Sequence, residues 1–462
     1  MRVVGTLVVV MFVGLAAWFA MTVFTQGSIW ASDVRNSRLR ATSSLRGDIT
    51  DRDGNLLATT AADGTRQYTA NAAARRALSQ TVGDLAGMSG TGIETFYSST
   101  LLDISGSLLD RLSDLTGGGK RHVGSSIQIT VDGPLQAYIA GAFPSGYRGA
   151  VCVTNYRTGE ILAMVSMPSY DPYDLTGRPD AAVEDTAYLN RCLQGLYTPG
   201  SVFKIVTLAS ALSNDANVLE QRFTCSGEWN YEGGHIVCAG GASHGTVDLN
   251  TAFRKSCNVT FGKLAYQLGL ERLRATAETF GFNENFKFGD FVIYNSAFPT
   301  DVSSMNGLVW AGIGQGEVLV TPLHMAMIAG SVANGGTLMK PWLIKRIANT
   351  QGVIVSLGTP ESYRQVLSPS VASVIAGYMY ETVQSGTAAR AAIRGYNVCG
   401  KTGSAEVSDD KTVETNAWFT GFIYDDAHPY AIAVVIEGGG AGARMPSELA
   451  AKALKKAVEY VG

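Results

Sequence analysis

Between Val3 and Phe24 the chain carries no charged side chain. Wound as an α-helix, this run of 22 residues, dominated by Val, Leu, Phe, Met and Ala, rises about 33 Å, enough to cross a hydrocarbon core of about 30 Å. A cleaved secretory leader is the alternative class, but its apolar part spans about 7–15 residues and ends at an Ala-x-Ala-like site. No such site follows this run. Residues 3–24 are therefore expected to form a transmembrane anchor. Arg2 precedes the run and Arg35, Arg38 and Arg40 follow it, so positive-charge counting alone leaves the body in the cytoplasm.

The remaining length, within a chain of 462 residues, suits two or three domains. Hydrophobic residues at 46% against 16% charged exclude global disorder. With 36 Lys plus Arg against 39 Asp plus Glu, the chain lacks the basic footprint of a nucleic-acid binder or of a polybasic lipid surface. The six cysteines contain no Cys-x-x-Cys pair and no Cys/His grouping at zinc-site spacing, so neither a metal nor a cofactor is expected. Cys225 and Cys238 flank a Gly-rich loop. A disulfide between them is expected if the body is extracytoplasmic, contributing about 3 kcal/mol by loop closure. Cys152, Cys192, Cys257 and Cys399 read as small buried hydrophobes.

Asp53-Gly54 is a hairpin signal between two short apolar segments. Residues 59–121 are mixed, with Gly clusters at 87–92 and 117–119, and read as a small irregular domain closed by a flexible joint. Ser126–Asp132 alternates like a half-buried strand, and a helix is expected over Pro134–Phe143. Strands are expected at Gly149–Thr154, Glu160–Ser166, Ala417–Tyr424 and Tyr430–Glu437. Helical periodicity marks Val202–Leu212, Leu249–Leu268, Pro322–Ala333, Ser368–Val383 and Ser447–Tyr460. Strands at both ends with helices between them predict an α/β (α+β) domain with a central sheet flanked by helices. The domains expected are the anchor at 3–24, a non-catalytic region at 25–145 and the large domain at 146–462.

Tyr197-Thr-Pro-Gly-Ser201-Val-Phe-Lys204 carries the chemistry. Pro199-Gly200 turns the chain and the apolar period resumes at once, so Ser201 is placed at a helix N-terminus with Lys204 one turn on, on the same face. A hydroxyl needs a neighbour to take its proton. A lysine with its ordinary pKa near 10.4 cannot do so near neutrality, whereas burial and a second cation both disfavour the ammonium. Ser-x-x-Lys by itself is weak, and Ser408-Asp-Asp-Lys411 is a second match in a charged run. Context separates them, because Ser256-Cys-Asn258 and then Lys401-Thr-Gly403 follow Ser201 in order. Ser304-Met-Asn306 repeats the second pattern in a loop-like stretch. Lys401-Thr-Gly403 reads as an edge strand where glycine lets a substrate backbone approach.

The ordered set Ser-x-x-Lys, Ser-x-Asn, Lys-Thr-Gly is shared by penicillin-binding proteins and serine β-lactamases. Over nearly its whole length the chain resembles class B penicillin-binding proteins, the monofunctional cell-wall D,D-transpeptidases. Further matching segments are Arg46-Gly-Asp-Ile-Thr-Asp-Arg-Asp-Gly54, Gly92-Ile-Glu94, Thr130-Val-Asp132, Gly159-Glu-Ile-Leu-Ala163, Asn190-Arg191, Gly314-Gln-Gly-Glu317, Thr321-Pro322 and Asn416-Ala-Trp-Phe419. The segment between anchor and catalytic domain is shorter than in many members. The resemblance implies the penicillin-binding/β-lactamase-like fold, peptidoglycan stem peptides as substrate, and β-lactams as covalent ligands. It implies Ser201 as nucleophile, Lys204 as its base, and the N–H groups of Ser201 and Ser404 as oxyanion hole. Ser256 would relay a proton, Asn258 would hold the substrate amide, and Lys401 and Thr402, backed by Gly403, would receive the terminal carboxylate. A substrate outside the cytoplasm overrides the arginine count and places the body there.

Rival classes fit less well. A class A β-lactamase needs a Glu that activates water, and no Glu-x-x-Leu-Asn-like loop lies between Ser256 and Lys401. A D,D-carboxypeptidase would hydrolyse the same acyl-enzyme. A penicillin sensor would need a signalling domain ahead of the anchor, where only Met1 and Arg2 stand. The stretch between anchor and transpeptidase is too short for a glycosyltransferase domain, so sugar polymerisation falls to another protein, and the resemblance implies a SEDS-family glycosyltransferase as that partner. None of the five histidines, His122, His235, His244, His324 and His428, has a motif-placed acidic partner, which leaves a Ser-His-Asp triad unsupported.

Overall fold

The computed structural model describes residues 6, 10–19, 21–22, 45–102, 123–174, 185–302, 304–406, 414–441 and 444–461. Within the apolar run, the described residues are helical and the side chains of 10–19 are exposed. No helix among the described residues is long and apolar enough to cross a membrane. The expected span 3–24 lies only in part among them, and the Gly117–Gly119 joint, His122 and the Ser408–Lys411 decoy lie outside them.

Five antiparallel strands form the central sheet, in the order Val398–Ala405, Asn416–Ile423, Tyr430–Glu437, Arg148–Asn155 and Ile161–Met167. Strands separated by more than 200 residues thus lie side by side, Tyr430 opposite Asn155 and Glu437 opposite Arg148. Their apolar runs are nearly continuous because both faces are covered. Val151, Val153, Ile432, Val434 and Ile436 pack with Leu135, Ile139, Leu449 and Leu454 of two helices, Gly133–Ala142 and Arg444–Val461. The alternate residues Ala150, Cys152, Ala431, Ala433 and Val435 face the larger core of Pro322–Ala333, Lys204–Asn214 and Asn258–Phe280. Side chains alternate between faces with a period of two, so a single strand feeds both cores.

The region expected to be small and irregular contains a sheet. Its six strands run Ile354–Leu357, Ile344–Ala348, Ser126–Ile129, Ile49–Thr50, Leu56–Thr60 and Arg66–Tyr68. Two of them come from the far side of residue 145, so the sheet crosses the boundary drawn from the sequence. The Asp53-Gly54 hairpin is present, with Gly54 at φ 89° and Ile49 opposite Ala58. Here two family segments meet. The Glu94 carboxylate accepts from Arg46 Nη1 at 3.0 Å and from Arg66 Nε at 2.6 Å, with Glu94 fully buried. Asp132, from a third segment, caps the helix Gly133–Ala142 by accepting from Leu135 N at 2.7 Å.

Candidate active site

Pro199-Gly200 breaks the chain, and the turn that follows, Gly200–Phe203, is a 3₁₀ turn running directly into the α-helix Lys204–Asn214. In 3₁₀ geometry residues three apart eclipse, so Ser201 and Lys204 share one face more directly than an α-helical first turn would arrange. Gly200 sits at φ 56°, and a Cβ there would stand 2.5 Å from Ser404 O. A Cβ on Gly403 would stand 2.8 Å from Pro199 O and 3.1 Å from Val202 N. Both glycines let the Ser201 turn lie flat against Val398–Ala405, which is the edge strand expected for Lys401-Thr-Gly403. Gly200 N donates to Gly314 O at 2.8 Å, Trp418 Nε1 donates to Thr198 O at 3.1 Å, and Gln315 Nε2 donates to Ser404 O at 3.4 Å.

The second motif sits where the sequence suggested one long helix. The periodic stretch Leu249–Leu268 is split by Ser256 at φ 56° and by Cys257 into Leu249–Arg254 and the start of Asn258–Phe280, which Cys257 caps and which Gly269 at φ 74° interrupts just past Leu268. The first break turns Ser256 and Asn258 onto Lys204. The Lys204 ammonium donates to Asn258 Oδ1 at 2.7 Å, Ser256 O at 2.8 Å and Ser256 Oγ at 3.2 Å. Lys401 reaches the same Ser256 hydroxyl at 3.0 Å and Thr402 O at 3.0 Å. The Thr402 hydroxyl donates to Thr387 Oγ1 at 2.6 Å, a partner that no sequence motif flagged.

Lys204 and Lys401 are both fully buried, over the rings of Phe261 and Phe253 respectively. Burial pulls Lys204 down to about 8, with the Cys257 and Cys238 thiols opposing that fall. Burial, and then the Lys204 charge, hold Lys401 well below the ordinary lysine range. One wall of the site rests on a further ion pair, in which Glu437 Oε1 accepts from Arg191 Nε at 2.8 Å and from Tyr197 OH at 2.7 Å. No described histidine hydrogen-bonds to Lys204, Lys401 or Ser256. His324 is buried between Ser296 Oγ and Phe280 O and is pushed down to about 4 by burial, while His428 pairs with Asp425.

The cysteine reading needs correction. Cys225 and Cys238 are free thiols with their sulfurs 3.6 Å apart, and the disulfide expected between them is absent. Cys257 is not an isolated hydrophobe, since its sulfur lies 3.8 Å from that of Cys238. His244 Nδ1 joins the same group. Separations of 13, 6 and 13 residues hid this from a spacing search; the strand pairing that carries Cys225 and the helix cap at Cys257 bring the four together.

A buried lysine one 3₁₀ turn after a serine, a second lysine on a shared hydroxyl, and an edge strand laid against the serine turn define the class of active-site-serine, penicillin-recognising proteins. Residues 149–459 match the family described as the penicillin binding protein transpeptidase domain, and the chain belongs to that family. Over 468 aligned residues it is 32% identical to the peptidoglycan D,D-transpeptidase PbpA of Mycolicibacterium smegmatis, covering 95% of this chain and 94% of that protein. PbpA of Mycobacterium tuberculosis is 32% identical over 71% of this chain and 70% of its own length. Among solved structures, a ceftriaxone acyl-enzyme complex of M. tuberculosis penicillin-binding protein A superposes with TM-score 0.81 at 28% identity, covering 90% of this chain and 98% of that one. A D,D-transpeptidase domain from Eggerthella lenta gives 0.77 at 30% identity, covering 91% of this chain and all of that one.

Proposed function

We propose that this chain is a serine-type peptidoglycan D,D-transpeptidase that crosslinks stem peptides and is acylated by β-lactams. The observation that carries the reading is the convergence of Lys204 and Lys401 on the Ser256 hydroxyl beside the Ser201 turn. Ser201 attacks the carbonyl between two D-alanines, and its proton passes to the neutral Lys204 amine. The tetrahedral oxyanion would be held by the N–H groups of Ser201 and Ser404, a role supported by the close approach of turn and strand that Gly200 and Gly403 allow. The departing D-alanine amine takes its proton through Ser256, with Asn258 on the substrate amide. The terminal carboxylate sits against Lys401 and Thr402. A second stem-peptide amine then attacks the ester and restores Ser201.

The anchor, the extracytoplasmic placement and a SEDS-family glycosyltransferase partner belong to the same proposal. They are supported by the uncharged run from Val3 to Phe24 and by a substrate found outside the membrane. A fluorescent penicillin should label the protein stably at Ser201 and leave Ser201→Ala unlabelled. Lipid-linked glycan supplied with a polymerase should yield crosslinked product. Rapid turnover of penicillin, or D-alanine release without crosslinks, would assign the chain to a hydrolase instead.

A further inference from the structure

We propose that Cys225, Cys238, His244 and Cys257 form a structural zinc site that ties a two-hairpin flap to the turn carrying Ser256 and Asn258. The four donor atoms all lie within 4.8 Å of one another. Cys225 Sγ is 3.6 Å from Cys238 Sγ and 3.4 Å from His244 Nδ1. Cys238 Sγ is 3.7 Å from His244 Nδ1 and 3.8 Å from Cys257 Sγ. A tetrahedral zinc with sulfur at about 2.3 Å and nitrogen at about 2.0–2.1 Å requires ligand edges of about 3.8 Å for S–S and about 3.6 Å for S–N. The four measured edges fall close to those values. A disulfide needs sulfurs about 2.05 Å apart and would use two of the three thiols; one metal ion uses all four groups. Three soft thiolates and an imidazole gathered around one point select zinc over the hard, oxygen-loving cations.

Local folding aims each donor. Cys225 ends the strand Phe223–Cys225, which pairs with Gly245–Val247, and Gly245 stands opposite Cys225 so that His244 lies next to it. Cys238 directly follows the strand Gly234–Val237, and its N–H donates to Gly227 O at 2.8 Å. The three cysteines are buried. Cys257 sits between Ser256 and Asn258, and the Asn258 amide donates back to Val237 O on the same flap at 2.8 Å. A metal bond to Cys257 would therefore fix the break between the two helices, the one place on this segment where a non-glycine residue holds a positive φ.

The full chain, purified in detergent under reductant and without added metal, should contain one zinc per chain by elemental analysis. After chelation it should take up one cobalt(II) and show the visible absorption of a tetrahedral thiolate complex. His244→Gln, a change on a half-buried loop residue, should keep the native circular dichroism and lose metal affinity by more than about 10-fold; Cys225→Ser should do the same. Penicillin acylation should fall on chelation and return when zinc is restored. That last readout rests on the transpeptidase reading, whereas metal content does not. A chain that holds no zinc and binds no cobalt, a Cys225–Cys238 disulfide in freshly isolated protein, or zinc fully retained in both variants would overturn the site.

Discussion

Lys401 donates to the Ser256 hydroxyl at 3.0 Å. Lys204 reaches that oxygen as well, at 3.2 Å. Burial lowers both amines, and the Lys204 charge lowers Lys401 further; for Lys204, burial supplies what Ser-x-x-Lys lacks in isolation, an amine able to be neutral near physiological pH.

Lys204→Met removes the base while keeping an unbranched chain in the buried slot. Penicillin acylation should fall by about 10²–10⁴-fold, the usual worth of a positioned general base. Lys204→Arg should be equally inactive, since guanidinium stays protonated. Stopped-flow or gel-based labelling checks both, and retained labelling in either would mean that another group takes the Ser201 proton.

The pH dependence follows from the same residue. The acylation rate should rise with pH through about 8, where Lys204 loses its proton, and level off above it. Stability should respond as well. Unfolded lysine holds its proton to about 10.4, so between about 8 and 10.4 the unfolded chain binds more protons and native stability rises with pH. Below about 8 both states are protonated and the full cost of about 3 kcal/mol persists. Urea unfolding of wild type and Lys204→Met at pH 7 and pH 10 should show the variant's advantage shrinking at the higher pH. An unchanged difference would contradict the buried-ammonium account.

Gly403→Ala should slow acylation by at least about 10-fold, because its Cβ would stand 2.8 Å from Pro199 O and pry the strand from the Ser201 turn. Overpacking of this kind costs about 1–3 kcal/mol. A variant that labels at the wild-type rate would show that the turn and strand separate without consequence.

In the N-terminal sheet, Glu94→Gln would leave Arg66, with a side chain only 2% exposed, without its anionic partner. Breaking one side of a buried pair costs about 3–5 kcal/mol. Thermal unfolding should shift down, while labelling at low temperature persists. A shift no larger than that of a surface substitution would refute the pairing.

Protease treatment of intact spheroplasts should digest the chain from residue 45 onward if the body lies outside the membrane. Full protection would sink that placement and leave the arginine count after the apolar run as the better guide.

Much of the large domain was readable residue by residue. The strand expected at Tyr430–Glu437 and the helix at Pro322–Ala333 have the observed bounds, because both are long and apolar and are bounded by turn or cap residues. The Leu249–Leu268 helix was misread at its most informative point. Periodicity cannot report a break only a few residues wide, and Ser256 adopts its positive φ because the two helices and Lys204 hold it there. The N-terminal sheet was missed for a different reason, since Ile344–Ala348 joins Ser126–Ile129 across more than 200 residues, and pairing at that range leaves no local trace.

The sequence by itself determined the order of the three motifs, the turn that exposes Ser201, and the apolar strands that build the central sheet. These are local properties: a proline-glycine turn, a period of two or of 3.6, a residue type at a short interval. Tertiary structure decided which amines share the Ser256 hydroxyl, how far burial lowers Lys204, and that Cys225, Cys238, His244 and Cys257 meet at one point. Burial and convergence depend on atoms supplied by distant segments, and only the folded chain sets those distances.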